Sequence, residues 1–277
     1  MAATLYLVPT PIGNLSDISP RMAETLAGAD FIAAEDTRVT LKLLNHLGLK
    51  KPMLPYHRHN VAQGGRAVLD RLLSGQTCAL VTDAGTPAIS DPGEELVSLC
   101  VEHDVPVVAV CGPCALVTAL AVSGQPTSRF VFEGFLPLNK KNRRARLDAL
   151  AGEERTVIFY EAPHKLAATL CDLRDVFGAE RPVSLCRELS KLHEEVIRTT
   201  LGAAADRYAQ DAPKGEFVLI VRGAPAVETA PPDPDDALAR VAALRAQGLS
   251  LKDAARQAAG ELGLSKNELY AMALENE

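Results

Sequence analysis

Cys78-Ala79-Leu80-Val81-Thr82-Asp83-Ala84-Gly85-Thr86-Pro87-Ala88-Ile89-Ser90-Asp91-Pro92-Gly93 is the most informative stretch of the 277-residue chain. Its first four residues are continuously apolar, the pattern of a strand buried on both faces. Small residues follow, with Asp83 at the strand's end. Asp91-Pro92-Gly93-Glu94 then reads as a helix start, with an acidic cap, Pro at the first helical position and Glu three residues after the cap. A buried strand running through a small-residue loop into a helix is a unit of a layered α/β fold. In such folds ligands bind at the carboxyl ends of strands. A loop this long and this small exposes backbone N–H and C=O groups to a ligand, which a plain turn does not require.

The same alternation runs outward in both directions. Strands are expected at 5–8, 31–34, 78–82, 105–110, 130–135, 156–160, 183–187 and 217–221. Helices are expected near 20–29, 38–47, 61–74, 92–103, 114–122, 140–151, 164–177 and 202–210. Strand–helix alternation argues for α/β layers with largely parallel sheets. A polar break at Ser123-Gly124-Gln125-Pro126 divides an N-terminal α/β domain, 1–123, from a second, 124–223. The segment 224–234 holds four prolines and reads as a linker. Beyond it, 235–277 has helical spacing, broken into about three short helices at Gly248-Leu249-Ser250 and Gly263-Leu264-Ser265.

Composition narrows the class. Hydrophobic residues are 47%, charged residues 23%, and the formal charge is -6, which excludes wholesale disorder and a generally basic nucleic-acid-coating protein. Aromatics are 4% with no Trp, so Val, Leu, Ile and Ala must build the core. No apolar run approaches the ~20 residues that span a bilayer, and the first residues lack the features of a targeting peptide. The six cysteines read as reduced thiols of a cytoplasmic protein.

Several motifs carry chemistry. Pro9-Thr10-Pro11-Ile12-Gly13-Asn14 leaves the first strand as a stiff loop whose glycine permits close backbone approach to a ligand. Glu35-Asp36-Thr37-Arg38 offers either a helix cap with an exposed ion pair or a general base beside an anion-binding Arg. Cys111-Gly112-Pro113-Cys114 has redox spacing, but reads better as a tight turn, and no zinc set surrounds it. Tyr56-His57-Arg58-His59-Asn60 reads first as polar loop residues, with no third ligand for a metal; as substrate contacts, Tyr56 would stack on a base and His57 or Asn60 would hydrogen-bond it. Lys140, Lys141, Arg143, Arg144 and Arg146 put five cations in seven residues of an acidic chain, either a solvated helix face or a phosphate grip. Gly-x-Gly-x-x-Gly, Walker A and His-Glu-x-x-His signatures are missing, so the common dinucleotide, nucleotide and zinc-protease readings lack support.

Taken in order, 5–15, 33–38, 56–60, 83–87, 90–93, 133–137, 159–161, 187–191 and 214–219 resemble the ribosomal RNA small subunit methyltransferase I family, within the tetrapyrrole methylase superfamily. The resemblance spans about 5–223, and the helical tail looks like that family's C-terminal extension. It implies a two-domain tetrapyrrole-methylase-like fold, usually homodimeric, with S-adenosyl-L-methionine between the domains. The implied activity is 2′-O-methylation of a cytidine ribose in the decoding region of 16S rRNA. By the match, Pro11, Ile12, Gly13, Asp83, Gly85, Thr86, Ser90, Gly112, Pro113, Phe159, Tyr160 and Glu161 contact the cofactor. Asp36 or Glu35 serves as base, with Arg38 and Asn14 orienting the ribose or phosphate. No metal is required. Cys111, Cys114, Arg58 and Ala162 depart from the family's usual residues, so no role rests on those side chains. The rival readings are a methyltransferase for a tetrapyrrole or protein, and a non-catalytic rRNA assembly factor. The tail carries five basic and seven acidic residues between 235 and 277, which argues against a generic phosphate-gripping helix-turn-helix.

Overall fold

The computed structural model describes residues 3–210, 213–225 and 233–276. Residues 1–224 form one compact unit and 225–277 another. Most of the expected linker, 224–234, lies outside the described residues.

The first unit holds two five-stranded sheets. In the first, β1 (Leu5–Leu7), β2 (Phe31–Ala34), β3 (Met53–Pro55), β4 (Cys78–Val81) and β5 (Val107–Ala109) lie in the order β3-β2-β4-β1-β5, all parallel. Both faces are covered, which explains the unbroken apolar runs. On one face Phe31, Ala33, Cys78 and Leu80 pack against α3 (Val61–Leu73) and α4 (Glu94–Glu102). On the other, Ile32, Ala34, Ala79 and Val81 pack against α1 (Pro20–Gly28) and α2 (Thr37–His46). The chain therefore leaves the adjacent strands β1 and β4 toward opposite faces, which opens a crevice at their carboxyl ends.

The second sheet departs from the expectation of largely parallel pairing. Its strands are β6 (Phe130–Phe135), β7 (Thr156–Glu161), β8 (Pro182–Arg187), β9 (Glu195–Thr200) and β10 (Phe217–Val221), in the order β6-β7-β10-β8-β9. Only β6 and β7 pair parallel; the other three pairs are antiparallel. The short link from β8 to β9 requires that pair to be antiparallel, because a parallel return needs a crossover of a dozen or more residues. β10, Phe217 to Val221, is buried throughout at the centre. One face of this sheet packs on α6 (Lys140–Leu150), α7 (Leu166–Phe177) and α8 (Leu201–Tyr208). The other face receives α5 (Ala115–Ser123), whose Leu116, Ala119 and Leu120 lie on Ile158, Cys186, Val218 and Ile220. The packing break thus precedes α5, whereas the expected boundary at residue 123 assigns that helix to the first lobe.

Two strands escaped the sequence reading. β3 is only three residues long. β9 is a half-buried edge strand of mixed polarity. The unit 225–277 comprises α9 (Pro234–Ala246), α10 (Leu251–Leu262) and α11 (Lys266–Glu275), joined through Ala237, Val241, Leu244, Ala258 and Leu269. Ser250 caps α10 by accepting the Asp253 N–H, and Arg240 makes a two-pronged pair with Glu261 at 2.6 and 3.1 Å.

Tyr56 corrects another expectation. It is 1% exposed and sits in the first core, so it cannot stack on a nucleotide base. Gly64 and Gly65 on α3 make the room: a Cβ on either would meet the Tyr56 ring, at 3.2 and 3.7 Å. Tyr56→Ala should cost about 3–5 kcal/mol of stability, read as a lowered denaturation midpoint.

Candidate active site between the two sheets

A cavity of about 300 Å³ opens at the carboxyl ends of β1 and β4 and is closed on its far side by the second sheet. Its walls come from backbone pairing between loops. Thr10 and Gly85 exchange N–H···O bonds of 2.9 and 3.0 Å, and the Thr10 hydroxyl donates to the Thr82 carbonyl at 2.9 Å. The Thr86 hydroxyl donates to the Pro113 carbonyl at 2.9 Å, tying in the 111–114 turn.

The 83–93 loop is the most contorted segment. Ala88 and Ser90 both take positive φ, 69° and 65°. The helix starts later than expected: α4 begins at Glu94 with Gly93 as its cap residue at φ 152°, and no side chain caps it. Asp91 is therefore not the N-cap. The two left-handed residues before it turn it out of the helix, and it lines the cavity.

Carboxylates crowd this end of the first sheet. Glu35 Oε2 accepts the Asp83 N–H at 3.3 Å, and Asp83 Oδ1 accepts the Asp36 N–H at 3.2 Å, so neighbouring strand ends cap each other. Burial pushes the Asp83 carboxyl up. Burial, and next the charge of Glu35, push Asp91 up to about 6 against the pull of Arg58. Asp36 behaves oppositely. It caps α2, accepts the Arg38 N–H at 2.8 Å, and pairs with the Arg38 guanidinium at 3.0 and 2.6 Å. Those bonds hold its carboxyl well below the usual range. The expectation of Asp36 as base is thereby corrected: a carboxylate stabilised this strongly is a poor proton acceptor. Glu35 faces the cavity and Asp36 does not.

Of the expected cofactor contacts, Ile12, Asp83, Gly85, Thr86, Ser90, Tyr160 and Glu161 line the cavity. Tyr160 stands between Phe132 and Phe135, with ring centroids at 5.0 and 5.7 Å, and its hydroxyl accepts the Leu116 N–H at 3.0 Å. Glu161, 4% exposed, accepts the Ala162 N–H at 2.8 Å and the Thr169 hydroxyl. Pro11, Gly13, Gly112 and Pro113 do not line the cavity. A Cβ on Gly112 would meet Pro9 at 2.9 Å and Met22 at 3.1 Å, so its role is packing. Phe159 is corrected: it is 0% exposed and points to the opposite face of the sheet, into the α7–α8 core, because side chains alternate along β7. Asn14 caps the short turn Leu15–Asp17 by accepting the Ser16 N–H at 2.9 Å, and Arg38 lies 86% exposed outside the cavity.

The basic run is also divided. Asn139 caps α6. Arg143 donates to Thr169 at 2.8 Å and pairs with Asp172, Arg144 pairs with Asp148, and Arg146 forks onto Glu133 with two bonds of 2.6 Å. The Lys140 and Lys141 side chains have no acidic partner among the described residues. His57 is half-buried, and its N–H donates to Asn60 at 2.7 Å.

The sequence reading assigned no role to the 188–191 loop, although Glu188, Leu189 and Lys191 line the cavity. Lys191 bridges Glu188 at 2.8 Å and Glu216 at 3.1 Å. The Lys191 bond holds the Glu188 carboxyl below its ordinary value. Its stem also fills the space above Gly13, where a Cβ would fall 2.3 Å from Lys191 Cγ. Ser190 donates to Asp17, a second link between the lobes. A charged tip on an apolar strand was the signal that could have marked this loop.

A two-sheet chain with its cavity at this junction has the architecture of the tetrapyrrole methylases. The family description "Tetrapyrrole (Corrin/Porphyrin) Methylases" matches residues 4–205, and "RsmI C-terminal HTH domain" matches 231–277. Among solved structures, the methyltransferase CobJ superposes with TM-score 0.61 at 16% identity, over 80% of this chain and 93% of that one. Uroporphyrin-III C-methyl transferase from Thermus thermophilus, in complex with S-adenosyl homocysteine, gives 0.57 at 16% identity over 78% and 96%. Sequence relatives are much nearer. Ribosomal RNA small subunit methyltransferase I of Synechocystis sp. is 47% identical over 99% of this chain and 98% of its own length. That of Escherichia coli O157:H7 is 47% identical over 99% and 95%. The chain belongs to the ribosomal RNA small subunit methyltransferase I family of the tetrapyrrole methylases.

Gly134 lies at the β6 bulge with φ 63°, and a Cβ there would fall 2.8 Å from Ser90 Oγ. Gly134→Ala should cost about 1–2 kcal/mol for the left-handed backbone alone, read in chemical unfolding, and should displace the 83–93 loop.

Proposed function

We propose that the chain methylates the 2′-hydroxyl of a cytidine in the decoding region of 16S rRNA, using S-adenosyl-L-methionine. The observation that carries this reading is the cavity between the two sheets, in a chain nearly half identical over its whole length to proteins named for small-subunit rRNA methylation. The residues fit the cofactor. The volume lies at the lower end of small-ligand sites. Carboxylates suit a sulfonium and an ammonium group, and the Ala84–Thr86 backbone and the Thr86 and Ser90 hydroxyls offer polar contacts. The cofactor supplies an electrophilic methyl group. The protein's own work is to hold two reactants in line and exclude water, for which Ile12, Ile89, Phe135 and Val218 provide the apolar wall. Arg38 and Asn14, outside the cavity, are assigned to orienting the ribose or phosphate. Lys140 and Lys141, the cations of the run that no carboxylate among the described residues engages, are assigned to rRNA phosphates. A cytoplasmic homodimer is part of the same reading.

Calorimetry should show S-adenosylmethionine binding to the purified chain, and small ribosomal subunits from cells lacking the protein should accept one methyl group on a cytidine ribose. Absence of cofactor binding would favour the assembly-factor reading, and methylation of a tetrapyrrole precursor instead of rRNA would favour the other rival. Replacing Lys140 and Lys141 by Glu should weaken rRNA binding and reduce the salt slope by about 2, with cofactor affinity unchanged.

A further inference from the structure

Six carboxylates line the cavity: Glu35, Asp83, Asp91, Glu161, Glu188 and Glu216. Five are committed. Glu35 and Asp83 accept backbone N–H groups at 3.3 and 3.2 Å. Glu161 accepts the Ala162 N–H and the Thr169 hydroxyl. Glu188 takes Lys191 and the Glu216 N–H, at 2.8 and 3.0 Å, and Glu216 takes Lys191 at 3.1 Å. Asp91 alone accepts no hydrogen bond from a described residue, so both its oxygens keep their lone pairs for an incoming donor. The backbone holds it there at a cost. Ala88 and Ser90 are left-handed, and Gly93 lies so close to Ala88 that a Cβ would fall 2.9 Å from the Ala88 nitrogen. Strained backbone concentrates at functional sites.

We propose that Asp91 is the proton acceptor for the ribose hydroxyl that attacks the methyl group. The inference rests on the methyl-transfer reading above. As the O–CH₃ bond forms, the O–H bond breaks and its proton passes to an Asp91 carboxylate oxygen. The S–CH₃ electron pair remains on sulfur, giving a neutral thioether. Sulfonium and carboxylate both end uncharged, so the step removes a charge pair from a partly buried site. Burial does most to raise the basicity of Asp91; among the groups facing it, Glu35 and Asp83 raise it further and Arg58 lowers it. A carboxyl near 6 is ionised at neutral pH and still more basic than an ordinary aspartate.

Asp91→Asn tests this in single-turnover methylation of undermethylated small subunits, across a pH series, at saturating S-adenosylmethionine. At saturating cofactor the rate should fall about 10²–10⁴-fold. Wild-type rate should decline on the acidic side as one carboxylate takes up its proton, and the residual rate of the variant should lack that limb. A second readout needs no substrate. A carboxyl raised in the folded state binds its proton more tightly there than in the unfolded chain, so folded wild type loses stability as pH rises from about 4 to about 6. The variant should therefore melt higher than wild type above that range, with the gap closing at lower pH. Near-normal rate at saturating cofactor, or a retained acidic limb, in Asp91→Asn would overturn the assignment. Failure of the wild-type protein to methylate rRNA would instead overturn the proposed function, which separates the two.

Discussion

The reciprocal backbone bonds between Thr10 and Gly85 are the constraint on which the site depends. They join the loops leaving β1 and β4, the strands whose connections depart to opposite faces of the first sheet. Without that clasp the crevice would be two independent loops. With it, Ile12, Gly85 and Thr86 form a continuous wall, and the Thr86–Pro113 bond extends the wall to the turn that launches α5. That helix then packs on the second sheet, so a short turn ties one half of the cavity to the other.

Charge is handled by the same economy of backbone contacts. Glu35 and Asp83 are tolerated side by side because each takes an amide N–H from the other's strand end. Asp36 sits one residue away yet answers to Arg38 and to its own helix start, which strips it of basicity. Neighbours in sequence thus have opposite electrostatic fates, decided by which side of the strand end each faces.

Much of the fold was legible because burial writes itself into composition. Cys78–Val81 and Phe217–Val221 are central strands covered on both faces, and their apolar runs announce it. β9 could not announce itself, since an edge strand half in water mixes Glu195, Arg198 and Thr199 with Val196 and Ile197. Pairing direction in the second sheet follows from connection geometry, which no local pattern encodes. At the site, residue type was readable and orientation was not. Tyr56 sits in a polar-looking run, but two glycines on α3 reserve a core position for its ring. Asp91 carries every mark of a helix cap, and only the left-handed turns at Ala88 and Ser90 reveal that the helix starts two residues later than that cap implies.

The hydrocarbon stem of Lys191 lies across Gly13 and its ammonium is pinned between Glu188 and Glu216. The four methylenes therefore act as a spacer between the loop after the first strand and the tips of the second sheet. A shorter side chain at this position would leave the Gly13 backbone uncovered and strand two carboxylates without their cation.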